Sequence, residues 1–486
     1  MTEIVALHDV PEFHEQTDVV VCGLGGAGVS VALEARATGA EVVALERFSA
    51  GGGSTMLSAC EMYLGGSGGT RLQRDLGIED SSENMVNYLM TCFGEHADRA
   101  RVEAFVDGAA EHFDWLEAQG IPYRRSLFEG RDVVALTGDS LQFTGNERAW
   151  PFDQRATPVP RGHLPEDAGH EGGMVVMNTL LGKLEGAGVN CWYDSRLLGL
   201  IQEDNGRICG VVAKVDNAPR YVLARRGVVL TTGGFIMNER MTQQNIPELA
   251  SICTRHGNPG DQGDGIRLGV AAGGVAIHMG QAFVGVAHYP PAQLTYGLFV
   301  NAQGQRFINE DVYLSRLGAA VSQQTDMRAF MFIDNRYFAR PDYHQTTEIV
   351  AVGETVAEVE EEAGLPPGSL QHTVEYYNRY AAEGVDPLFH KSPTWLAPLI
   401  EPPFALVDYS LPLLQPACFT LGGLDTLPTG EVLNAEREPI PGLFAAGRTA
   451  CGIPRTGAGY ASGMSVADAT LFGRKAGRQA ALQPQR

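Results

Sequence analysis

The spacing of apolar positions changes several times along the chain, and each change marks an element. Residues 18–22 form a short β-branched run, residues 41–45 a second one, and the alanine-rich stretch between them runs at helical spacing as far as Gly39. A strand, a helix and a strand are predicted there. Residues 84–95 and 101–119 read as helices, the second carrying Phe105, Phe113, Trp115 and Leu116 as a stripe for packing. From 131 to 173 polar residues, prolines and glycines alternate without a period, which predicts a long loop. His163 and His170 fall in that loop as solvated residues, because no third ligand accompanies them for a metal. Regularity returns with a helix at 174–187 and strands near 190–193, 197–202, 208–215 and 221–231; Asn205-Gly206 marks a hairpin between two of them.

Beyond residue 281 aromatics increase and glycines thin out, with helical stretches at 355–364 and 369–384. A proline-rich tract then leads back to small-residue sequence at 442–477. This return implies an insertion, so the expected organisation is one α/β domain in two pieces, 1–280 and 405–486, interrupted by an α+β capping domain at 281–404.

Composition narrows the possibilities. With 486 residues of which 44% are hydrophobic, the chain has material for two cores. A formal charge of -22 argues against nucleic acid or an anionic membrane as the main partner, since both reward positive surface. No long apolar run suggests a transmembrane segment, and the acidic N-terminus lacks the basic start of a signal peptide. The eight cysteines contain no C-x-x-C pair, so no metal is expected, and scattered single cysteines fit a reducing compartment. The expected location is cytoplasmic.

The chemistry begins with Gly23, Gly25 and Gly28, in G-x-G-x-x-G order between the first strand and first helix, with Gly26 and Ala27 at the helix start. This arrangement brings backbone close to a pyrophosphate and aims a helix N-terminus at it. Glu46, at the end of the second strand and followed by Arg47, suits a ribose 2′-hydroxyl and disfavours a 2′-phosphate, leaving NAD or FAD. The next stretch favours FAD. Gly53, Ser54, Thr55 and Ser58, followed by a glycine cluster at 65–69, make a long small-residue loop against which a flat ring system can lie. Thr232, Gly233 and Gly234 end another strand and offer a second cofactor contact, and Gly447 and Arg448 end the last one. Asp264 is a candidate helix cap first and a flavin neighbour second.

Taken together, VVVCGLGGAGVSVALEA, GGGST, VVLTTGGF, GDQGDGIRLGVAAGG, GQRFINED and GLFAAGR with GYASGMSVADATLFGRKAG resemble the FAD-dependent family that includes fumarate reductase and succinate dehydrogenase flavoprotein subunits and the 3-ketosteroid dehydrogenases. The resemblance implies a Rossmann-like FAD-binding domain of glutathione-reductase type, an inserted capping and catalytic domain, and substrate held between them. The fumarate reductase branch closes with H-G-A-N-R-L-G-G; here the histidine place holds Pro454 and the arginine place Gly459 or Tyr460, while Arg316 falls in the proton-donor region. The GYASG and NEDVY segments are instead similar to those of the 3-ketosteroid Δ4-(5α)-dehydrogenases, which implies Tyr313, Tyr460 and Ser462 as the catalytic set. The loop before Met56 lacks the histidine that anchors FAD covalently in some relatives, implying noncovalent FAD.

Desaturation next to a ketone removes a proton from one carbon and a hydride from the next. A phenolate suits the weakly acidic proton better than an ordinary carboxylate, so Tyr460 is the expected base, assisted by Ser462, Tyr313 and the helix that begins just after it. Backbone N–H groups of Gly463, Met464, Ser465 and Val466 would support the flavin. The substrate expected is a small apolar ketone, a steroid, with the electron acceptor unidentified. The alternatives are a reductase of an unsaturated carboxylate, a Δ1-type 3-ketosteroid dehydrogenase, and a flavin-binding protein with a sensory or structural role.

Overall fold

A computed structural model describes residues 4–343 and 346–485. Among them, nine strands form the central sheet. Its main path runs Ile4–Ala6, Arg196–Gln202, Ile208–Val215, Ala218–Leu230, Glu15–Cys22, Val42–Leu45, Asn190–Trp192, and Pro439–Ala445 joins at Ala218–Leu230 with Glu431–Leu433 beside it. The long strand Ala218–Leu230 changes neighbours along its length: its first half closes an antiparallel hairpin with Ile208–Val215, and its last residues pair in parallel with Leu443, Phe444 and Ala445. Val19, Val20 and Val21 are wholly buried, as a central parallel strand covered on both faces requires. The first helix, Gly26–Ala37, lies along the closing helix, Met464–Ala481, through small residues on both.

A second sheet orders Leu298–Asn301, Ala329–Ile333, Phe404–Asp408 and Ile349–Gly353, all antiparallel. Val359, Leu370, Val374 and Tyr377 of the helices Val356–Glu362 and Ser369–Ala381 cover one face, and Leu317 and Val321 of Leu314–Ser322 pack toward the other. Thr355 and Glu358 start the first of these helices as a capping box. The expected boundary after residue 404 falls inside the strand Phe404–Asp408. The segment is also tied to the rest of the chain by Ala282–Gly285, which pairs with Ala417–Thr420.

Three expectations are corrected. The stretch 131–173 is not one loop: Leu141–Gln142 and Gly162–His163 join Leu127–Phe128 and Met62–Tyr63 in a small sheet, buried except for the half-buried strand Leu127–Phe128, and Gly172 already belongs to the helix Gly172–Gly186. Strands of two residues are too short to show a period. His163, read as solvated, is buried there, bonded through its two ring nitrogens to Thr70 Oγ1 and the Arg161 carbonyl, each at 2.8 Å. Among the cysteines, Cys253 and Cys418 form a disulfide between neighbouring strands, which removes the support that single cysteines lent to a reducing compartment. Among the described residues no helix is long and apolar enough to cross a membrane, and no group of three His, Cys, Asp or Glu is placed to hold a metal.

Candidate active site

One cavity of about 1030 Å³ runs from the C-terminal ends of the central strands to the second sheet's side of the molecule. Its nucleotide end follows the sequence closely. Gly23 takes a left-handed φ of 108°, and a Cβ there would come 2.6 Å from the Thr231 carbonyl oxygen, so only glycine allows strand and turn to meet. The first helix starts without a side-chain cap, leaving its N-terminus for an anion. Glu46 is anchored at the end of its strand: Leu24 N–H donates to Oε2 at 2.9 Å and Phe48 N–H to Oε1 at 3.1 Å. Each oxygen keeps a further lone pair for a ribose hydroxyl.

The remaining cofactor candidates divide by position. Gly25, Gly26, Ala27, Arg47, Gly53, Thr55, Ser58, Thr232, Gly233, Gly447, Gly463 and Val466 line the cavity beside Glu46. Ser54 and Arg448 also line it and converge on Asp261, Oγ and Nη2 each 2.7 Å from its Oδ2. Asp264 lines it too, but the cap position before it is Gly263; its carboxylate instead gathers Arg267 at 2.6 Å, Arg196 at 3.4 Å and Arg47 at 3.7 Å. Gly28, Gly234 and Met464 stand behind the wall: Gly28 against Gly23, Gly234 against Thr420, and Met464 taking the Ala461 N–H on its sulfur at 3.3 Å. The glycines at 65–69 do not line the cavity but pack against other residues, Gly65 against Asp80 and Arg161 and Gly66 against Val106. An uncapped helix start, a ribose acid and a glycine-walled channel fit FAD.

At the other end Tyr460, Ser462 and Tyr313 share the cavity wall. Phe283 and Phe419 stack with ring centres 4.5 Å apart, and the Tyr460 ring meets their edges at 5.1 and 5.5 Å. Backbone bonds fix all three residues. Ser315 Oγ donates to the Tyr460 carbonyl at 3.1 Å, Tyr313 N–H to Asn146 Oδ1 at 2.8 Å, and Ser462 N–H to the Thr144 carbonyl at 3.0 Å. Thr144 and Asn146 both come from the stretch read as patternless.

The hydroxyls have different surroundings along this wall. The Tyr460 oxygen faces the start of the closing helix, with Ser465 N–H donating at 3.4 Å. Burial pushes the phenol above its ordinary pKa, and Ser465 pulls it only part of the way back. Burial also raises the Tyr313 phenol well above the usual value, with Tyr289 and Tyr460 adding to the effect and Ser462 opposing it. The same Ser462 hydroxyl acts on a residue that the sequence reading missed, Glu61.

Glu61 is 3% exposed and lines the cavity. Gln142 Nε2 donates to its Oε1 at 2.7 Å, whereas Oε2 has no hydrogen bond of good geometry. Burial drives its pKa up to about 8, with Ser462 and Gln142 lowering it and Glu147 raising it. The only sequence signal was a lone acid in the run Ser58-Ala59-Cys60-Glu61-Met62-Tyr63-Leu64. Arg316, by contrast, turns away from the cavity and lies over the Phe152 ring at 5.1 Å.

The FAD binding domain family matches residues 18–462. The structure of 3-ketosteroid-Δ4-(5α)-dehydrogenase from Rhodococcus jostii RHA1 in complex with 4-androstene-3,17-dione is similar, with 38% identity, a TM-score of 0.91, and 98% of this chain and 99% of that chain covered. A probable fumarate reductase of Shewanella frigidimarina is 27% identical over 96% of this chain and 75% of its own length. A 3-oxo-5-alpha-steroid 4-dehydrogenase of Comamonas testosteroni is 26% identical over 90% of this chain and 94% of its own. The chain therefore belongs to the FAD binding domain family and is an FAD-dependent oxidoreductase acting on carbon–carbon bonds, related to fumarate reductases and 3-ketosteroid dehydrogenases.

Proposed function

We propose that this protein dehydrogenates a 3-ketosteroid beside its ketone, in the Δ4-(5α) sense, using noncovalently held FAD and passing electrons to an acceptor not identified by its sequence. The observation that carries the reading is the meeting of Tyr460, Ser462 and Tyr313 on one wall of the cavity, next to the stacked pair Phe283 and Phe419. The aromatic surface suits fused apolar rings, and three hydroxyls suit a ketone and its neighbouring proton. The bound steroid in the similar Rhodococcus protein supports the substrate class. Against a dicarboxylate stand Pro454 in the histidine place, Arg316 over Phe152, and Arg448 committed to Asp261.

The proton chemistry divides between two groups. A phenol raised by burial holds its proton at neutral pH, so Tyr460 donates a hydrogen bond to the ketone oxygen and stabilises it as the carbon beside it loses a proton. The helix start behind Tyr460 strengthens that donor by supporting negative charge on its oxygen. Ser462 receives the proton and passes it on, with Tyr313 orienting the Ser462 hydroxyl. This reading moves the base away from Tyr460, because desolvation outweighs the stabilisation of a phenolate by the Ser465 N–H. FAD, when bound, would supply the acceptor for the hydride of the second carbon. Residues 281–404 would cover the substrate as a cap.

Anaerobic mixing of the flavin-loaded protein with a panel of 3-ketosteroids and enoic acids tests the reading. Bleaching of the flavin absorbance by 5α-3-ketosteroids is expected; oxidation of the reduced protein by enoic acids, with no response to steroids, would replace it with the carboxylate reductase. Tyr460→Phe keeps the flavin spectrum and slows steroid bleaching by about 100-fold or more, the loss expected for one oxyanion donor. Ser462→Ala, which removes the group that receives the proton, slows bleaching by about 100-fold as well.

A further inference from the structure

Ser462 is a weak base, so a proton that reaches it needs a stronger acceptor close behind. The buried groups around it contain one. Glu61 lies in the cavity wall with Ser462 and Tyr313, one carboxylate oxygen held by Gln142 at 2.7 Å and the other without a hydrogen bond of good geometry. Its placement is built into the backbone. Gly463 has a φ of 86°, and a Cβ there would come 2.9 Å from the Glu61 carbonyl oxygen and 2.7 Å from Tyr63 N, so glycine alone lets the Ser462 loop lie against the Glu61 strand. Tyr63 N–H donates to the Gly463 carbonyl at 3.2 Å and locks that approach.

We propose that Glu61 is the proton acceptor behind Ser462, so that Ser462 and Glu61 form a relay which removes the substrate proton, with Tyr313 orienting the Ser462 hydroxyl. This rests on the dehydrogenase reading above. In the step, the C–H bond next to the ketone breaks and its proton bonds to the Ser462 oxygen. The Ser462 proton bonds to the Glu61 carboxylate, which becomes a carboxylic acid. The electron pair left on carbon forms the new double bond as the neighbouring carbon gives its hydride to FAD, the two-electron oxidant. Half-buried Ser462 opens onto the cavity, and Glu61 later returns its proton by the same route.

The surroundings of Glu61 suit an acceptor that works near neutral pH. Among the described residues no cation contributes to its electrostatics. Gln142 and Ser462 hold its pKa down, Glu147 raises it, and the phenols of Tyr313 and Tyr460 feel its charge. Glu147 in turn accepts from Tyr63 Oη at 2.9 Å and Gly145 N–H at 2.9 Å, and Arg161, paired with Asp80 at 2.7 Å, stands beyond Tyr63. An ordinary carboxylate is too weak a base for this proton; one pushed up to about 8 is better matched.

The test uses flavin-loaded protein and 5α-androstane-3,17-dione, with 4-androstene-3,17-dione as the binding probe. In the wild type, bleaching speeds up as pH rises through about 8, and the infrared carbonyl band of a protonated carboxylic acid fades over the same range. Glu61→Gln should lose the band and the pH limb and bleach about 100-fold more slowly, as removal of a general base does, with probe binding little changed. A Glu61→Gln protein with wild-type rate and pH limb overturns the relay. Should that variant fail to hold flavin, Glu147→Gln moves the limb to lower pH and Gln142→Leu to higher pH, and a limb unmoved in both is equally fatal. Absence of any bleaching of the wild type by 3-ketosteroids is a different result: it overturns the dehydrogenase reading and the relay falls with it.

Discussion

Glu310 and Glu61 are both buried carboxylates, at 0% and 3% exposure, and their surroundings push them in opposite directions. In the second sheet's region, Glu310 takes Arg306 Nε at 2.8 Å and Nη2 at 2.7 Å, Lys391 Nζ at 3.2 Å and Phe299 N–H at 3.1 Å. Burial alone would raise its pKa, but the two cations win and hold it below the usual carboxylate range. Glu61 has an amide, a hydroxyl and a like charge instead, and burial wins. A buried carboxylate with cations is fixed in charge and serves as a structural joint. One without them is left free to change charge, and that property is useful only beside a reacting substrate.

The strongest way to break this contrast is Glu310→Gln. It leaves Arg306 and Lys391 facing each other without the carboxylate between them, with Asp386, 2.8 Å from Arg306, and Asp311 near Lys391 as the remaining acids. A loss of about 3–5 kcal/mol is expected on urea unfolding, the usual result of removing one partner from a buried ion cluster. A loss no larger than that of a surface substitution would show that the cluster is not a joint.

The second test is the pH dependence of stability. Glu61 is protonated in the fold up to about 8 and ionised in the unfolded chain above about 4.5, so folding takes up a proton between those values. The contribution of Glu61 to stability therefore falls as pH rises through that window, and the cost persists above it. Glu61→Gln removes this slope. Its stability relative to wild type should be higher above pH 8 than below pH 4.5, measured by paired unfolding curves. A parallel pH dependence of the two proteins would contradict the raised Glu61 pKa.

The smallest effect is expected at Arg316, a half-buried ion whose Nε has no hydrogen-bond partner among the described residues and whose charge rests on the Phe152 ring. Because it does not line the cavity, Arg316→Gln should change the rate of steroid bleaching by no more than about threefold. A loss comparable to that of Tyr460→Phe would restore it as a proton donor and weaken the steroid reading.

What was legible in the sequence was local. Gly23, Gly25, Gly28 and Glu46 sit within one strand–helix–strand unit, where a turn, a helix start and a strand end follow from neighbouring residues. Tyr460, Ser462 and Tyr313 were singled out by the resemblance of the GYASG and NEDVY segments to those of 3-ketosteroid dehydrogenases, and not by local spacing. What was not legible came from distant stretches. Asn146, Thr144 and Gln142 hold Tyr313, Ser462 and Glu61 from a segment whose two-residue strands are too short for a period. Cys253 and Cys418 lie 165 residues apart, and no spacing pattern pairs them.

By itself, then, the sequence determined the nucleotide site, because backbone turns and helix starts depend on residues within a few positions. Only the tertiary structure decided how charge is distributed around the three hydroxyl-bearing residues: that Tyr460 faces Ser465 N–H, that Arg316 turns away, and that Glu61 is buried without a cation. The pKa of a side chain is set by what lies around it in space, and neighbours in space are not neighbours in sequence.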